Sequence, residues 1–469
     1  MIGTQYSRSH KGYEGARLDR IFNRRRPEKY PSDIIFAASP DDVVSAVLYA
    51  KGKGAQVTIR SGGHSWAAWS LRQDSILIDL SELKRLEIDA ENMTATVSPS
   101  TTGKMLNEAL GPLGLMFNGG HCPDVGVGGF LLQGGQGWCA RTWGWSAEQI
   151  ESMEVVTAAG ELVTASRREN ADLLWAARGS GPGFFGVVVS FTLKLKKVVG
   201  MYGSTYIYDT VAHYDEVAKW YLETCPGVPS DCELVMLGFR SERVMPHLNP
   251  PRPVLVVRAL CFTEDEAEAK EALTIFAKGV PSLDKAHVAA FCQPSTFTEE
   301  YQRQADDNPI GRYFVQNAWL DGPLDKVAQS MKAAFVDLAT PQSFALHFSM
   351  APLRALPDDM CFSIQTPHTL SLYTIAPPDT DAFDAVCQAY QDKVWTHIDA
   401  LRPEQGGSAG IYLGDSDLVK RPVRFMSEQN WARFCELRTQ WDPKRTFAGY
   451  DGEALHGSRW NRNPWELVD

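Results

Sequence analysis

Two short stretches of the sequence combine glycines with a residue that can bond to a ligand. The first is RSGGHSW, residues 60–66, in which Gly62 and Gly63 precede His64. Adjacent glycines let the backbone approach a ligand closely and turn its amides inward, and His64 stands where those amides are presented. The stretch predicts a ligand-binding loop, although a lone histidine after two glycines is also common as a plain turn residue.

The second stretch is GGHCPDVGVGGFLLQGGQGW, residues 119–138, which holds Cys122. So many glycines outside a repeat lose backbone entropy on folding, and close binding along the chain has to offset that loss. A large, flat cofactor fits this demand. A lone buried cysteine is more often inert than reactive, so the chemistry of Cys122 depends on what binds beside it.

Several better-known chemical motifs are missing from the chain. GPGFFG, residues 181–186, satisfies the dinucleotide pattern GxGxxG, but Pro182 interrupts it and the strand-like run VVVSF follows where a helix has to begin. No P-loop with its lysine and no HExxH occurs. The sequence therefore argues against phosphoryl transfer and zinc proteolysis.

Composition limits the partners of the protein. The net charge of −11 and the pI near 5.5 argue against nucleic acid or an anionic membrane, because both generally attract a basic surface. The nine cysteines are scattered without a CxxC pair, which predicts reduced, buried thiols and no metal site. The N-terminus lacks the apolar segment of a secretory signal, and no run of about 18 apolar residues occurs, which favours a cytoplasmic protein.

The elements that position the two motifs alternate between strand and helix over the first 200 residues. DIIFAA (33–38) and QVTIR (56–60) are predicted strands, and Ser39 is the predicted cap of the helix between them. The second strand leads into the loop of His64, which is the usual place for a ligand loop in such a unit. Further on, a predicted hairpin turns at Ala159-Gly160.

The pattern of predicted strands and helices changes at about residue 200, and this change divides the chain into regions. From residue 201 to 412, β-rich runs such as PVLVVRALCF and RYFVQNAWL alternate with helices, which predicts an antiparallel sheet with helices on one face. Residues 1–200 are expected to form most of another domain, and residues 413–469 to return to it. The predicted fold class is α+β.

Four motifs follow one another along the chain: RSGGHSW, GHCPDVGVGG, ENADLLWAARGSGPGFFGVVVSFTLKL and WDPKRTF. In this order they resemble the berberine-bridge-enzyme-like group of FAD-linked oxidases, within the vanillyl-alcohol-oxidase superfamily. The resemblance is good over residues 20–200 and fair in the C-terminal segment. In the middle region it is limited to the general pattern of strands and helices. It implies a two-part FAD-binding domain of PCMH type, built from the N-terminal and C-terminal segments, with the middle region as the substrate domain.

The resemblance also implies FAD held by two covalent bonds. His64 matches the histidine joined through a ring nitrogen to flavin carbon 8α, and Cys122 matches the cysteine joined through sulfur to carbon 6. Val125 matches the position three residues past that cysteine, where valine admits oxygen and leucine tends to exclude it. The other cofactor-binding residues that the resemblance implies are Arg60, Ser61, Gly62, Gly63, Ser65, His121, Gly126, Gly128, Gly129, Gly134 and Val188.

The activity that the resemblance implies is that of an oxidase. It takes a hydride from an alcohol, amine or activated C–H bond of a medium-sized small molecule, such as a secondary metabolite, and reduces O₂ to H₂O₂. Two alternatives stay open: an oxidative cyclase, desaturase or dehydrogenase of the same family, and a flavoprotein that binds a small molecule without turnover. The substrate, its stereochemistry and the oligomeric state are left open as well.

The catalytic base departs from the family pattern. Many relatives carry Tyr-x-Asn late in the substrate domain, whereas this chain has Tyr412-Leu413-Gly414. A tyrosine acts as a base only where its surroundings lower its pKa, because a phenol with a pKa of about 10 is mostly protonated. Tyr412 is the favoured catalytic candidate, and Asp415, Tyr373, His368 and Tyr313 are weaker ones.

Two further features bear on the substrate pocket. Where relatives often resemble Ala-Phe-Pro-His-Arg, residues 355–359 of this chain read ALPDD, which suggests a substrate other than the common sugars or allylic alcohols. Trp138, Trp143 and Trp145 are expected in the core, with cavity lining as the alternative.

Overall fold

The computed structural model describes residues 3–450 and 461–467. The longest described helix has 16 residues, and none of the described helices is long and apolar enough to cross a membrane. The strands, in chain order, are β1 (Thr4–Ser7), β2 (Asp33–Phe36), β3 (Val57–Arg60), β4 (Ile76–Asp79), β5 (Leu86–Asp89), β6 (Thr94–Val97), β7 (Leu115–Met116), β8 (Ile150–Val156), β9 (Leu162–Ser166), β10 (Val187–Lys194), β11 (Lys196–Lys197), β12 (Met201–Asp209), β13 (Cys232–Arg240), β14 (Pro253–Cys261), β15 (Val288–Ser295), β16 (Arg312–Leu320), β17 (Phe344–Ser349), β18 (His368–Ala376) and β19 (Ser408–Gly410). The α-helices are α1 (Tyr13–Leu18), α2 (Pro40–Lys53), α3 (Gly103–Leu110), α4 (Val127–Leu132), α5 (Ala140–Trp143), α6 (Ala171–Ala177), α7 (Thr210–Thr224), α8 (Ser241–Val244), α9 (Glu266–Ala277), α10 (Phe297–Asp307), α11 (Leu324–Val336), α12 (Asp384–Asp399) and α13 (Glu428–Trp441). Short 3-10 turns cover Gly111–Leu113, Ser146–Gln149, Gly181–Gly183, Cys225–Gly227, Leu283–Lys285, Pro403–Gln405, Leu413–Asp415 and Pro464–Leu467.

The strand-helix-strand unit expected from the sequence is formed by β2, α2 and β3. Ser39 caps α2 by accepting a hydrogen bond from the Asp42 amide, and the helix ends at Gly54 in the left-handed conformation. Strands β2 and β3 both pair in parallel with β4, and β1 pairs antiparallel with β2 to complete a four-stranded sheet. The chain leaves β3 at Arg60 and enters the loop of His64 directly.

A second sheet of five antiparallel strands, in the order β5-β6-β10-β8-β9, lies in the same part of the chain. The expected hairpin is the β8–β9 pair, and its turn contains Gly160 at φ +84°. Val155 and Phe191 of this sheet are fully buried in one core with Val47 of α2. The two sheets and α2 therefore share one hydrophobic core.

The middle region forms one sheet of eight antiparallel strands, in the order β15-β12-β14-β13-β17-β18-β16-β19. Helices α7, α9, α11 and α12 bury their apolar sides against one face, where Leu234 and Met236 of β13 belong to their core. Because side chains alternate along a strand, Val235 and Leu237 point to the opposite face. That opposite face borders the cavity described below.

The C-terminal segment returns to the first sheet. The Val57 amide donates a hydrogen bond to the Thr446 carbonyl at 2.7 Å, and the Ala448 amide donates to the Val57 carbonyl at 3.0 Å. Phe434 of α13 packs on Phe185 with ring centroids 5.7 Å apart. The segment expected at 413–469 includes residues 451–460 and 468–469, which lie outside the described residues.

Candidate functional site

A cavity of about 640 Å³ lies between the two glycine loops and the face of the eight-stranded sheet that carries Val235 and Leu237, and the end of α10 also contributes to its lining. This volume is in the range of small-molecule and cofactor sites. The candidate catalytic residues Tyr373, Tyr412 and Asp415 line it. The predicted cofactor-binding residues that line it are Arg60, Ser61, Gly62, Gly63, His64, Ser65, His121, Cys122, Val125, Gly126, Gly128, Gly129 and Val188.

The two glycine loops touch each other, backbone to backbone, at the wall of the cavity. A Cβ atom on Gly62 would lie 2.8 Å from the Gly126 nitrogen, and one on Gly126 would lie 3.0 Å from the Gly62 Cα. A Cβ on Gly128 would meet the Pro99 Cβ at 2.7 Å. Glycine is therefore required at these positions by close packing.

The N-terminal segment packs against the first loop, through Arg20 and Phe22, and fixes its backbone. Gly63 adopts φ +76°, and its carbonyl accepts a hydrogen bond from the Phe22 amide at 3.1 Å. A Cβ on Gly63 would lie 1.7 Å from the Arg20 carbonyl oxygen. Both the backbone conformation and the contact demand glycine immediately before His64.

The His64 imidazole is held on three sides. Its Nε2 lies 3.1 Å from the Asp124 Oδ1. The Phe22 ring stacks on it with centroids 4.0 Å apart and an interplanar angle of 22°. The Trp66 ring meets it edge-on at 5.6 Å. These contacts engage one ring nitrogen, one ring face and one T-shaped contact, on a side chain that lines the cavity.

The Cys122 thiol lies in a different electrostatic setting. It is half-buried, and the Asn308 amide nitrogen approaches its sulfur at 3.7 Å. Burial raises the pKa of the Cys122 thiol, and the negative charges of Asp124, Asp415 and Asp307 raise it further. The thiol is therefore protonated at neutral pH.

His121, the neighbour of Cys122, ties the second loop to the eight-stranded sheet. Its Nε2 lies 3.1 Å from the Glu233 Oε2, on β13, and its ring packs on Trp138 with centroids 4.0 Å apart. The other carboxylate oxygen of Glu233 accepts a hydrogen bond from the Cys139 amide at 2.6 Å. One buried carboxylate thus fixes the loop in two places.

Asp415 presents a carboxyl group to the cavity from an otherwise enclosed position. The Trp66 Nε1 donates a hydrogen bond to its Oδ1 at 3.1 Å, and the Tyr373 hydroxyl bonds to the same carboxyl group. Burial raises the pKa of Asp415, while these two hydrogen bonds and the nearby histidines act in the opposite direction. A raised pKa brings a carboxyl group closer to the range of a general base at neutral pH.

Tyr412 and Tyr373 differ from each other in their hydrogen bonds. The Tyr412 hydroxyl accepts a hydrogen bond from the Gln136 amide at 3.2 Å. Tyr373 stacks on Phe344 with centroids 4.4 Å apart and directs its hydroxyl to Asp415. Burial raises the pKa of both phenols above the ordinary value, so both are protonated at neutral pH.

Two predicted cofactor-binding residues contribute differently from expectation. Gly134 does not line the cavity, because it sits in the turn after α4 at φ +102° and faces Phe362 and Trp145. The positive φ at residue 134 explains why this position is a glycine. Arg60 lines the cavity, but its guanidinium is fully buried and donates at 2.5 Å to Asp79, so it serves the core under the loop.

The candidates His368 and Tyr313 lie away from the cavity lining. His368 is buried, and burial lowers its pKa to about 4. The Tyr313 hydroxyl donates to the Pro309 carbonyl. Asp359 bonds to Arg178 at 2.9 Å and therefore stabilises the structure outside the cavity. Trp138 and Trp145 are buried core residues, as the sequence favoured.

Sequence reasoning missed several residues of the site. The segment GPGFFG, rejected as a dinucleotide motif, forms a 3-10 turn before β10, and its Gly181 and Pro182 line the cavity. Asp124 lies inside the motif GHCPDVGVGG, so the sequence alone already placed it in the second glycine loop. Its contact with His64 spans 60 positions along the chain and leaves no local pattern.

The cysteines other than Cys122 are buried, and all nine carry free thiols. In the described part of the chain, one group of side chains of metal-ligand type comes together, with ligand atoms within 4.8 Å of one another: Asp231, Cys232 and Cys261. These residues lie outside the cavity lining.

The residues at the cavity fit a large, flat cofactor such as FAD. The glycine loops pack tightly against each other and together line the cavity, at Gly62, Gly126 and Gly128. A nucleophilic nitrogen and a thiol, from His64 and Cys122, line the same space. The loop after β3 also offers backbone amides suited to a pyrophosphate.

Comparison with known proteins agrees with this reading. A family model for an FAD binding domain matches residues 31–166. FAD-linked oxidoreductase nodO of Hypoxylon pulicicidum is 34% identical over 440 residues, which cover 93% of this chain and 94% of that protein.

Two solved structures share the fold. Physcomitrella patens BBE-like 1 has a TM-score of 0.80 at 19% identity, covering 96% of both chains. The 6-hydroxy-D-nicotine oxidase from Arthrobacter nicotinovorans has a TM-score of 0.79 at 17% identity, covering 96% of this chain and 97% of that chain. The predicted α+β fold, with a PCMH-type FAD-binding domain and an antiparallel-sheet domain, is confirmed.

Proposed function

The chain belongs to the family of FAD-linked oxidoreductases, and from this membership we propose that it is an oxidase with doubly attached FAD. His64 would bond to flavin carbon 8α and Cys122 to carbon 6. The enzyme would oxidise an alcohol, amine or activated C–H bond of an apolar small molecule and pass the electrons to O₂, forming H₂O₂.

One observation carries this proposal: His64 and Cys122 line the same cavity, on two glycine loops that touch at Gly62 and Gly126. Neither residue alone would favour covalent attachment, because lone histidines and cysteines usually have structural roles. Their convergence on one cavity, in a chain of an FAD-linked family, supports a shared ligand for both.

Asp415 is the proposed catalytic base. FAD supplies a hydride acceptor when bound, and the protein has to hold the substrate and take its proton. The Asp415 carboxyl lines the cavity, is oriented by Trp66 and Tyr373, and has a pKa raised by burial. Tyr412 is the poorer base, since its buried hydroxyl stays protonated and already accepts the Gln136 amide.

The sheet side of the cavity supports an apolar substrate. Successive cavity-facing positions of β13 are Val235, Leu237 and Phe239, and β17 adds Phe344 and Leu346. These five side chains favour hydrocarbon or aromatic groups, because burying them releases water from both surfaces. Sugar hydroxyl groups that face these five side chains would be left unpaired.

O₂ is the proposed electron acceptor because of Val125. This residue lines the cavity beside Cys122, where the family resemblance associates valine with oxygen access. Rapid reoxidation of the reduced flavin by O₂ in stopped-flow measurements is expected, with slower reoxidation in Val125→Leu. Slow reoxidation of the unaltered protein would favour a dehydrogenase instead.

The attachment is tested by acid denaturation of the purified protein. We expect the yellow colour to stay with the polypeptide in the unaltered protein and in the His64→Ala and Cys122→Ala variants, and to be released in the double variant. Colour released from the unaltered protein would contradict covalent attachment. Mass spectrometry of each denatured chain identifies which bond remains.

The base is tested by Asp415→Asn, which keeps the shape and the acceptor oxygen for Trp66. The rate of flavin reduction should fall by about 10²- to 10⁴-fold, the usual contribution of a general base. The colour should remain attached to the chain. Tyr412→Phe is the matched control, and its rate should fall much less.

A further inference from the structure

We propose that Asp124 is the positioning residue for attachment of the cofactor to His64: it holds the imidazole so that Nδ1 faces the cavity with a free lone pair. This inference rests on the proposed covalent bond between His64 and FAD. It adds a specific role for a carboxylate that takes no part in the oxidation of substrate.

The geometry engages one nitrogen of the ring and leaves the other for the ligand. The Asp124 Oδ1 lies 3.1 Å from the His64 Nε2. Phe22 stacks on the ring at 4.0 Å and Trp66 meets its edge at 5.6 Å, so the plane of the ring is fixed as well. Only Nδ1 remains for a bond to a molecule in the cavity.

The contact also sets the tautomer of the imidazole. An ionised carboxylate accepts hydrogen bonds and donates none, so the nitrogen facing it carries the proton. Partial burial acts to raise the pKa of Asp124, but the hydrogen bond with His64 brings it below its ordinary value, so the carboxylate is ionised beside a neutral imidazole. The proton on Nε2 leaves the lone pair on Nδ1, as when a carboxylate orients a histidine toward a metal.

The attachment step balances with O₂ as the oxidant. A C–H bond of the 8α methyl group breaks and releases a proton, and its electron pair passes to the ring system. The lone pair of Nδ1 forms the new N–C bond, and the imidazole releases its Nε2 proton to solvent through Asp124. O₂ takes the two electrons and two protons and leaves as H₂O₂.

Asp124 is well suited to substitution because its side chain is 58% exposed. Replacing it with asparagine removes the charge with little loss of packing. The experiment uses the Cys122→Ala background, where His64 makes the sole proposed bond. The full chain is incubated with FAD, and timed samples are denatured in acid and weighed by mass spectrometry.

We expect Asp124→Asn to slow covalent attachment about 10- to 100-fold, the usual effect of losing a carboxylate that orients a histidine. Asp124→Glu should restore part of the rate, since it returns the charge at a similar place. Asp74→Asn is the matched control, because Asp74 is an exposed aspartate paired with Arg8 outside the cavity. Its rate should be unchanged.

The possible outcomes distinguish the role of Asp124 from the proposed covalent bond to His64, on which that role rests. Equal rates for Asp124→Asn and the Cys122→Ala parent would overturn the role of Asp124 while leaving the His64 bond in place. Parent protein that gains no mass at all would overturn the His64 bond itself. A slow variant that glutamate fails to improve would also count against Asp124, because a general structural defect would then explain the loss.

Discussion

The two glycine loops look alike in sequence but prepare their reactive residues differently. The His64 loop holds a ring nitrogen whose neutral form already carries a lone pair, oriented by Asp124 and Phe22. The Cys122 loop holds a thiol that has to lose a proton before it can react. The thiol of Cys122 therefore needs a deprotonation step that a neutral imidazole does not need.

Burial of the Cys122 thiol is the largest cause of this difference, and the charge of Asp124 adds to it. Asp124 orients the imidazole of His64, yet the same negative charge raises the pKa of the Cys122 thiol. The two attachment sites are thus coupled with opposite sign. We expect the bond to His64 to form first and the thioether to form later.

The largest expected effect comes from the backbone of the first loop, at Gly63. Gly63→Ala should lower the free energy of unfolding by about 3 kcal/mol or more, because φ +76° is strained for alanine and the new Cβ meets the Arg20 carbonyl. The urea midpoint, followed by tryptophan fluorescence, measures the loss. The variant is expected to purify with little flavin.

Gly129→Ala is the control from the second loop. A Cβ at this position meets nothing within 4 Å, and the residue lies in α4, where alanine is favoured by up to about 1 kcal/mol. Its midpoint should stay the same or rise. Similar losses in both variants would mean that the loops tolerate side chains equally.

The second prediction concerns pH. In the His64→Ala variant, thioether formation should accelerate about 100-fold between pH 7 and pH 9, because the thiolate fraction rises about tenfold per unit below the pKa of the thiol. Burial and nearby carboxylates raise that pKa, so the rise should not level off within this range. In Cys122→Ala, bond formation by His64 should change far less. A thioether rate independent of pH would show that the thiol is already ionised.

Much of the fold was predictable because it rests on local signals. Ser39 followed by Pro40 marks the start of α2, and the alternation of side chains identifies the strands of the large sheet. Gly160, which adopts a positive φ, marks the turn of the β8–β9 hairpin. Gly134 lies off the cavity lining, and its assignment could not be settled from the sequence, since the need for a positive φ and the need for a close ligand both select glycine.

The site was predictable only where one motif contains the residue. His64 and Cys122 stand out against their glycines, whereas the base depends on contacts across the chain. Trp66 reaches Asp415 across 349 positions, and Asn308 reaches Cys122 across 186. Periodicity carries no information at such separations, so these partners required the structure.

The third prediction isolates the charge of Asp124 on the cysteine side. In the His64→Ala background, Asp124→Asn should speed thioether formation about 3- to 10-fold at pH 8, because removing a nearby negative charge lowers the pKa of the thiol. The same substitution slows attachment at His64, so the signs are opposite. Slower reaction at both sites would indicate damage to the loop as a whole and would refute the coupling.

The smallest expected effect comes from Asn308. Its amide nitrogen lies 3.7 Å from the Cys122 sulfur and is a donor to the thiolate, which offsets part of the destabilisation by the three carboxylates. In the His64→Ala background, Asn308→Ala should slow thioether formation about 2- to 5-fold at pH 8, since a single weak hydrogen bond to sulfur contributes less than about 1 kcal/mol. Asn308→Asp should slow it further by adding a fourth negative charge, and the ratio of the two rates reports the charge contribution alone. Equal rates for alanine and aspartate would mean that the charges around Cys122 are screened by solvent, and the contrast between the loops would then rest on burial of the thiol.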